Sequence, residues 1–310
     1  MRTNALVPPG LGLGCWQFGD MGRGTPDEPQ AVELIRDAHR LGISHFDTAQ
    51  DYGNGRSETV LGRAVSPFTE QAFVSTKMHA AGAPETEAGV QRSLARLGRP
   101  WVDLFYVHWP KTGLDIRPMM ETLESLRAAG AVRLIGVSNF AVRDLEAASS
   151  AGRIDAYQMC YNLLWRYPER DVIPWCRERG VGIVTYSSIA QGLLSDTPRS
   201  PQTFEQGDAR RNTLYYLADV WPHVHKAVEK MQALARRTGS SLSALAIQWV
   251  LGRSGVVSSL VGARSRDHIS GNLAASRGRL DPSVEAELTG LSDEVMKSIP
   301  DVGNIFNFYP

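Results

Sequence analysis

No apolar run in this 310-residue chain approaches the 18 or so residues that a membrane helix needs. The opening MRTNALVPPGLG has no apolar core of signal-peptide length, so we expect a cytoplasmic protein. Net charge is also absent. Lys plus Arg and Asp plus Glu both number 33, and no overall field draws in nucleic acid or an anionic membrane. Cysteine is scarce: Cys15, Cys160 and Cys176 are odd in number and far apart, which suits buried small hydrophobes better than a disulfide framework or a zinc site. No metal is expected elsewhere. His223 and His225 stand two apart on an expected helix and so do not share a face, and no carboxylate or cysteine cluster supports them. With 43% hydrophobic and 21% charged residues, the chain belongs to neither the disordered nor the fibrous class.

What the chain has is alternation. GLGLGCW, from Gly10 to Trp16, is glycine-rich, but it lacks the third glycine of a dinucleotide fingerprint and no helix follows directly. It reads instead as a narrow strand whose backbone lies close to something flat. Apolar residues Ala31, Leu34, Ile35, Ala38 and Leu41 then recur at helical spacing, and Gly42 stops them. Strand-like runs ISHFD, AFVST, DLFYVHW, RLIGVS, DAYQMC, GIVTYS and VVSSLVG follow, nearly every one succeeded by a helical pattern. The helix after DAYQMC is expected over 169–179. About eight such units imply a parallel sheet with right-handed crossovers, closed as a (β/α)8 TIM barrel in one domain spanning residues 1–310. Extra helices are expected near the end. The polar stretch 195–221, after the seventh strand, is too long for an ordinary connection and reads as a lid. The aromatic tail NIFNFYP is unassigned.

Catalytic groups of such barrels come from the carboxyl ends of strands. Asp47, Tyr52, Lys77 and His108 all lie at or just beyond the ends of the second, third and fourth strands. Singly, each has an ordinary structural explanation. Together, each supplies what another lacks: Lys77 would lower the phenol of Tyr52, Asp47 would balance Lys77, and neutral His108 would polarise a carbonyl oxygen that Tyr52 protonates. The set has an acid and an oxyanion site but no nucleophile. Its simplest missing partner is a hydride from a nicotinamide cofactor.

The chain resembles the aldo-keto reductases, through LGLGCW, FDTAQDYGNGRSE, VSTK, YVHWP, IGVSNF, YQMCYNLLWR, TYSSIAQGLL and VGARSRDHISGN in one order along nearly its whole length. The resemblance implies a tetrad of Asp47, Tyr52, Lys77 and His108, with Tyr52 the acid in reduction and the base in oxidation. It implies that Ser138, Asn139 and Gln158 hold a nicotinamide carboxamide and that Tyr186 stacks on the ring. Asp47, Ser187, Gln191, Leu193, Gly262 and Asn272 complete the cofactor-binding set. Arg264 and His268 match positions facing the adenosine ribose and its 2′-phosphate, so NADP(H) is favoured over NAD, an arginine fork being suited to phosphate. Gly271 replaces the acid usual before Asn272, and SDTP follows GLL where Gly-Lys is common, which leaves the adenine contacts and the lid's grip open. Trp16, Trp109 and Trp165 face the substrate by the same analogy, an aromatic lining that suits an apolar or planar carbonyl compound. The rival reading is a regulatory protein similar to the family's channel-associated β subunits, which uses bound NADPH as a redox signal; the short N-terminus favours the enzyme.

Overall fold

The expected alternation closes on itself. In the computed structural model, which describes residues 6–19, 26–197, 204 and 209–306, eight parallel strands form a closed barrel in sequence order. They are β1 (Gly10–Gly14), β2 (His45–Asp47), β3 (Phe73–Met78), β4 (Val102–Val107), β5 (Val132–Ser138), β6 (Ala156–Cys160), β7 (Gly182–Tyr186) and β8 (Val256–Val261), and β8 pairs back onto β1. One helix follows each of the first six strands: α1 (Glu28–Leu41), α2 (Arg56–Val65), α3 (Ala83–Leu97), α4 (Arg117–Ala128), α5 (Val142–Ser149) and α6 (Val172–Glu178). Two follow β7, α7 (Trp221–Arg237) and α8 (Leu242–Leu251), and two follow β8, α9 (Arg266–Arg277) and α10 (Pro282–Met296). These are the additional helices that the sequence predicts.

Local chemistry sets the boundaries. α1 opens on a reciprocal capping box between Asp27 and Gln30 and ends where Gly42 turns left-handed at φ 106°. α6 starts later than its periodicity predicts, because the Asp171 carboxylate accepts the Val172 N–H and caps the helix there, while Tyr167–Glu169 form a separate 3-10 turn.

Strand side chains alternate between two apolar surfaces, so the strands read as unbroken apolar runs. Phe46, Val74, Phe105, Ile135, Tyr157 and Ile183 belong to the large core shared with the helices. Leu104, Tyr106, Ala156, Val184 and Leu260 form a second cluster in the lumen, joined by Val7 ahead of β1.

The segment after β7 is only partly within the described residues, which omit 198–203 and 205–208. Its described part is packed. Leu214 and Tyr215 are buried, and the Leu214 N–H donates to Ile305 O at 2.9 Å, tying this connection to the C-terminal segment. Of the aromatic tail, Asn304 and Ile305 are buried, and 307–310 lie outside the described residues. Among the described residues no helix is long and apolar enough to cross a membrane.

Candidate active site

Period two along a strand puts residues i and i+2 on one face. That parity turns His45 with Asp47, Ser75 with Lys77, and Tyr106 with His108 toward the lumen and its carboxyl-end mouth. Asp47 and Ser75 are register partners across β2 and β3, as are Lys77 and Tyr106 across β3 and β4.

Lys77 is fully buried, with Nζ 2.5 Å from Asp47 Oδ1 and 2.6 Å from the Thr48 carbonyl. The other Asp47 oxygen accepts from Ser75 Oγ at 2.7 Å and from Gln158 Nε2 at 2.9 Å. Burial is the largest single influence and would discharge the ammonium, but Asp47, with smaller help from Tyr52 and Asp51, outweighs it and raises Lys77 above its usual range. Lys77 therefore stays a cation, and Nζ stands 5.0 Å from the centre of the Tyr52 ring.

Tyr52 is half-buried, and burial pushes its phenol up to about 12. Lys77 pulls it down, as its sequence position predicts, but Asp47 and Asp51 push with burial in the opposite direction. The net shift corrects the expectation of a lowered pKa: a dry site penalises phenolate more than one already-neutralised ammonium favours it. Tyr52 is a neutral phenol through the physiological range. His108, just beyond β4, meets it edge-on with ring centres 5.8 Å apart. Burial lowers the His108 imidazole below its usual value despite the pull of Asp51, so the ring is neutral.

The Tyr52 loop is fixed by backbone contact. A Cβ on Gly53, whose φ is +61°, would fall 2.0 Å from Gly19 O, and one on Gly19 would fall 2.4 Å from Tyr52 C. Only glycine at both positions allows these loops to touch.

Beneath the pair lies a neutral polar layer that sequence reading missed. His45 contacts Ser258 Oγ at 3.0 Å through Nδ1 and Ser75 Oγ at 3.1 Å through Nε2, and Ser75 donates onward to Asp47. The flat object against the glycine strand is this imidazole: a Cβ on Gly12 would meet His45 Nδ1 at 3.1 Å and Leu260 Cδ2 at 2.7 Å. Burial drives His45 down to about 4 from an ordinary value of 6.5. Below the ordinary value the unfolded chain takes a proton that the folded chain refuses. Stability is therefore lost as pH falls from 6.5 toward 4, by up to about 3 kcal/mol from this residue. Urea unfolding at pH 7 and pH 4.5 should show a smaller acid loss in His45→Gln than in the wild type; equal losses would remove His45 as the cause.

The residues aligned by resemblance with cofactor contacts fall into two groups. Ser138 and Gln158 are register partners across β5 and β6. Asn139, next to Ser138, has φ 62°, and its Nδ2 donates to His108 O at 3.1 Å and Ser138 Oγ at 3.0 Å. Its Oδ1 accepts from the Tyr186 hydroxyl at 2.7 Å, which fixes the half-buried Tyr186 ring. Ser187 and Gln191, both at φ 55°, follow β7, and Leu193 is buried. Gly262, Arg264, His268 and Asn272 form the second group, beyond β8 and along α9. Arg264 and His268 are exposed, and Ser265 Oγ caps α9 by accepting from the His268 N–H at 3.2 Å. Gln17, also missed in sequence, anchors this loop by donating to Ala263 O at 3.1 Å.

Of the three tryptophans, Trp16 is 54% exposed after β1 and Trp109 is half-buried beside His108, with ring centres 6.3 Å apart. Trp165 does not join them. It is 2% exposed and packs edge-on to Tyr167 at 5.0 Å, so its ring serves the core rather than a substrate face. Two further polar residues at the mouth, Asp51 and His79, were not singled out from sequence. Parity could have found His79, since it continues the series Ser75, Lys77.

A closed eight-stranded barrel whose ionisable groups gather where its strands end is built like a (β/α)8 enzyme. The chain belongs to the aldo/keto reductase family, whose sequence profile matches residues 10–293. Members of that family act on carbonyls and alcohols with a nicotinamide cofactor. The chain is 33% identical over 268 residues to the aldo-keto reductase YhdN of Bacillus subtilis, covering 82% of this chain and 81% of that protein. It is 30% identical over 301 residues to the NADH-specific methylglyoxal reductase of Escherichia coli, covering 89% and 92% respectively. Among solved structures, the glycerol dehydrogenase of Gluconobacter oxydans superposes with a TM-score of 0.85 at 26% identity, over 97% of this chain and 99% of that one.

Proposed function

We propose that this chain, acting as one barrel domain over residues 1–310, is an NADPH-dependent oxidoreductase that interconverts an aldehyde or ketone with its alcohol. Tyr52 is the general acid in reduction and the general base in oxidation. The observation that carries this reading is the fully buried Lys77 ammonium, held by Asp47 and directed at a phenol that is neutral at physiological pH.

The nicotinamide, when bound, supplies or accepts the hydride. Everything else falls to side chains. A carbonyl oxygen between Tyr52 and the neutral His108 ring receives a proton from Tyr52 and a hydrogen bond from His108. As Tyr52 gives up its proton, the Lys77 cation stabilises the phenolate left behind, while Asp47 keeps Lys77 charged in a dry site.

The site's chemistry fits a nicotinamide. Beyond its bond to Asp47, Gln158 has a second N–H and a carbonyl oxygen, the complement of a planar carboxamide, with Ser138 beside it. In this reading Asn139 completes that grip, Tyr186 lies under the ring, and Ser187, Gln191, Leu193 and Gly262 follow the pyrophosphate. Arg264, His268 and Asn272 meet the adenosine end. Arg264 is exposed and, among the described residues, has no carboxylate partner, whereas nearby Arg266 lies 3.7 Å from Asp37. Trp16 and Trp109 give the substrate an aromatic wall. Three free, buried cysteines suit a cytoplasmic setting.

A panel of aldehydes, ketones and alcohols assayed with NADPH and with NADH tests the reaction class directly, and failure of every member with both cofactors would overturn it. The Escherichia coli relative is NADH-specific, so cofactor choice needs its own variant. Arg264→Ala should raise the NADPH dissociation constant about tenfold or more, the worth of one charge-assisted contact, and leave NADH nearly unchanged. Fluorescence titration measures both. Equal losses would argue against recognition of the 2′-phosphate.

A further inference from the structure

We propose that Asp51, His79 and His108 form a binding site for a transition-metal dication of the zinc class at the lip of the active-site mouth. Asp51 lies between two imidazoles. Its Oδ1 is 3.3 Å from His108 Nδ1, its Oδ2 is 3.4 Å from His79 Nε2, and the three ligand atoms all lie within 4.8 Å of one another. Ligands about 2.1 Å from a tetrahedral zinc stand about 3.4 Å apart. The two contacts run to different oxygens of Asp51, so the carboxylate bridges the imidazoles, and rotation of the solvent-open Asp51 and His79 side chains brings one oxygen and both ring nitrogens toward that spacing.

A second observation concerns how well His108 is satisfied. Its Nδ1 is buried, with only 10% of the side chain exposed, and the Asp51 oxygen 3.3 Å away does not have the geometry of a well-formed hydrogen bond. Buried ring nitrogens are nearly always satisfied, and this one is directed at Asp51. Both Asp51 and His79 are open to solvent, at 44% and 60% of their side-chain surface, which gives an ion an entry path and leaves coordination positions for water. Two imidazoles and one carboxylate suit zinc, cobalt or nickel rather than magnesium or calcium.

Ligation has a defined consequence, which rests on the proposed function. A metal on Nδ1 pins the His108 proton on Nε2, the nitrogen left to face a carbonyl.

The test uses tag-free, chelator-treated full-length protein. Calorimetry with Zn²⁺ and visible absorption with Co²⁺ should each give one equivalent per chain. Removing even an outer-sphere partner of a metal costs about 10- to 100-fold in affinity, so His79→Ala and Asp51→Asn should each lose at least about tenfold. The His223→Ala/His225→Ala double variant should bind as the wild type does. Without metal, His79→Ala should turn over carbonyls at the wild-type rate, and Zn²⁺ at a concentration that saturates the wild type should leave that rate unchanged. Unchanged Zn²⁺ affinity in both His79→Ala and Asp51→Asn, or no stoichiometric binding in the wild type, overturns the proposal. Binding that follows this pattern in a chain that reduces no carbonyl would support the metal site and sink the reductase reading.

Discussion

Tyr52→Phe is expected to lower carbonyl turnover by about 10²- to 10⁴-fold, the range a positioned acid contributes, while cofactor affinity stays near the wild-type value. The substitution removes one oxygen and keeps the ring. The edge-on contact with His108 at 5.8 Å and the Lys77 cation 5.0 Å from the ring centre are both compatible with phenylalanine. Parallel measurement of kcat and of cofactor quenching of tryptophan fluorescence separates chemistry from binding. Turnover that survives the change would transfer the proton to another group. In the wild type, the phenol's elevation to about 12 predicts reduction that is not limited by Tyr52 ionisation across neutral pH, and oxidation that accelerates with alkalinity as phenolate forms.

Lys77→Met should destabilise the fold by about 3–5 kcal/mol, the cost of leaving one member of a buried ion pair unpartnered. Methionine fills most of the stem's volume, so the loss is chiefly electrostatic. Asp47 is only 3% exposed and would keep its bonds from Ser75 and Gln158, which favours the lower end of that range. Lys77→Met combined with Asp47→Asn removes both charges and should recover part of the loss. Urea unfolding of the two single variants and the double variant measures the coupling. A cost below about 1 kcal/mol for Lys77→Met would mean that water reaches Asp47 and that the pair is not the dry one described here.

Strand-and-helix alternation was legible because each strand carries two apolar faces and each helix one, and that pattern is local. The gathering of Asp47, Lys77 and His108 was legible for a related reason: they stand at strand ends, and barrel closure brings strand ends together. Cross-lumen contacts were not legible. Gln158 reaches Asp47 from β6 to β2, strands that are not neighbours, and no spacing in the chain encodes that bond. Parity assigns His45 to the lumen but does not say that two serines await it there. The direction of the Tyr52 shift was misjudged because a sequence names the charges and not the dryness around them. Trp165 was misplaced for a simpler reason: an aromatic residue near a motif looks the same whether it lines a cleft or fills a core, and here the tight Asn162–Trp165 turn folds it inward.

The contact between Gly19 and Gly53 bears on how this enzyme's specificity could be redesigned. Two backbones that touch without side chains leave no slack between them, so residues 15–19 and the loop bearing Tyr52 constrain each other's position. An insertion in either would be transmitted to the phenol within a single peptide unit. Remodelling of the mouth is better attempted from the Trp109 side, where a change in shape need not move Tyr52.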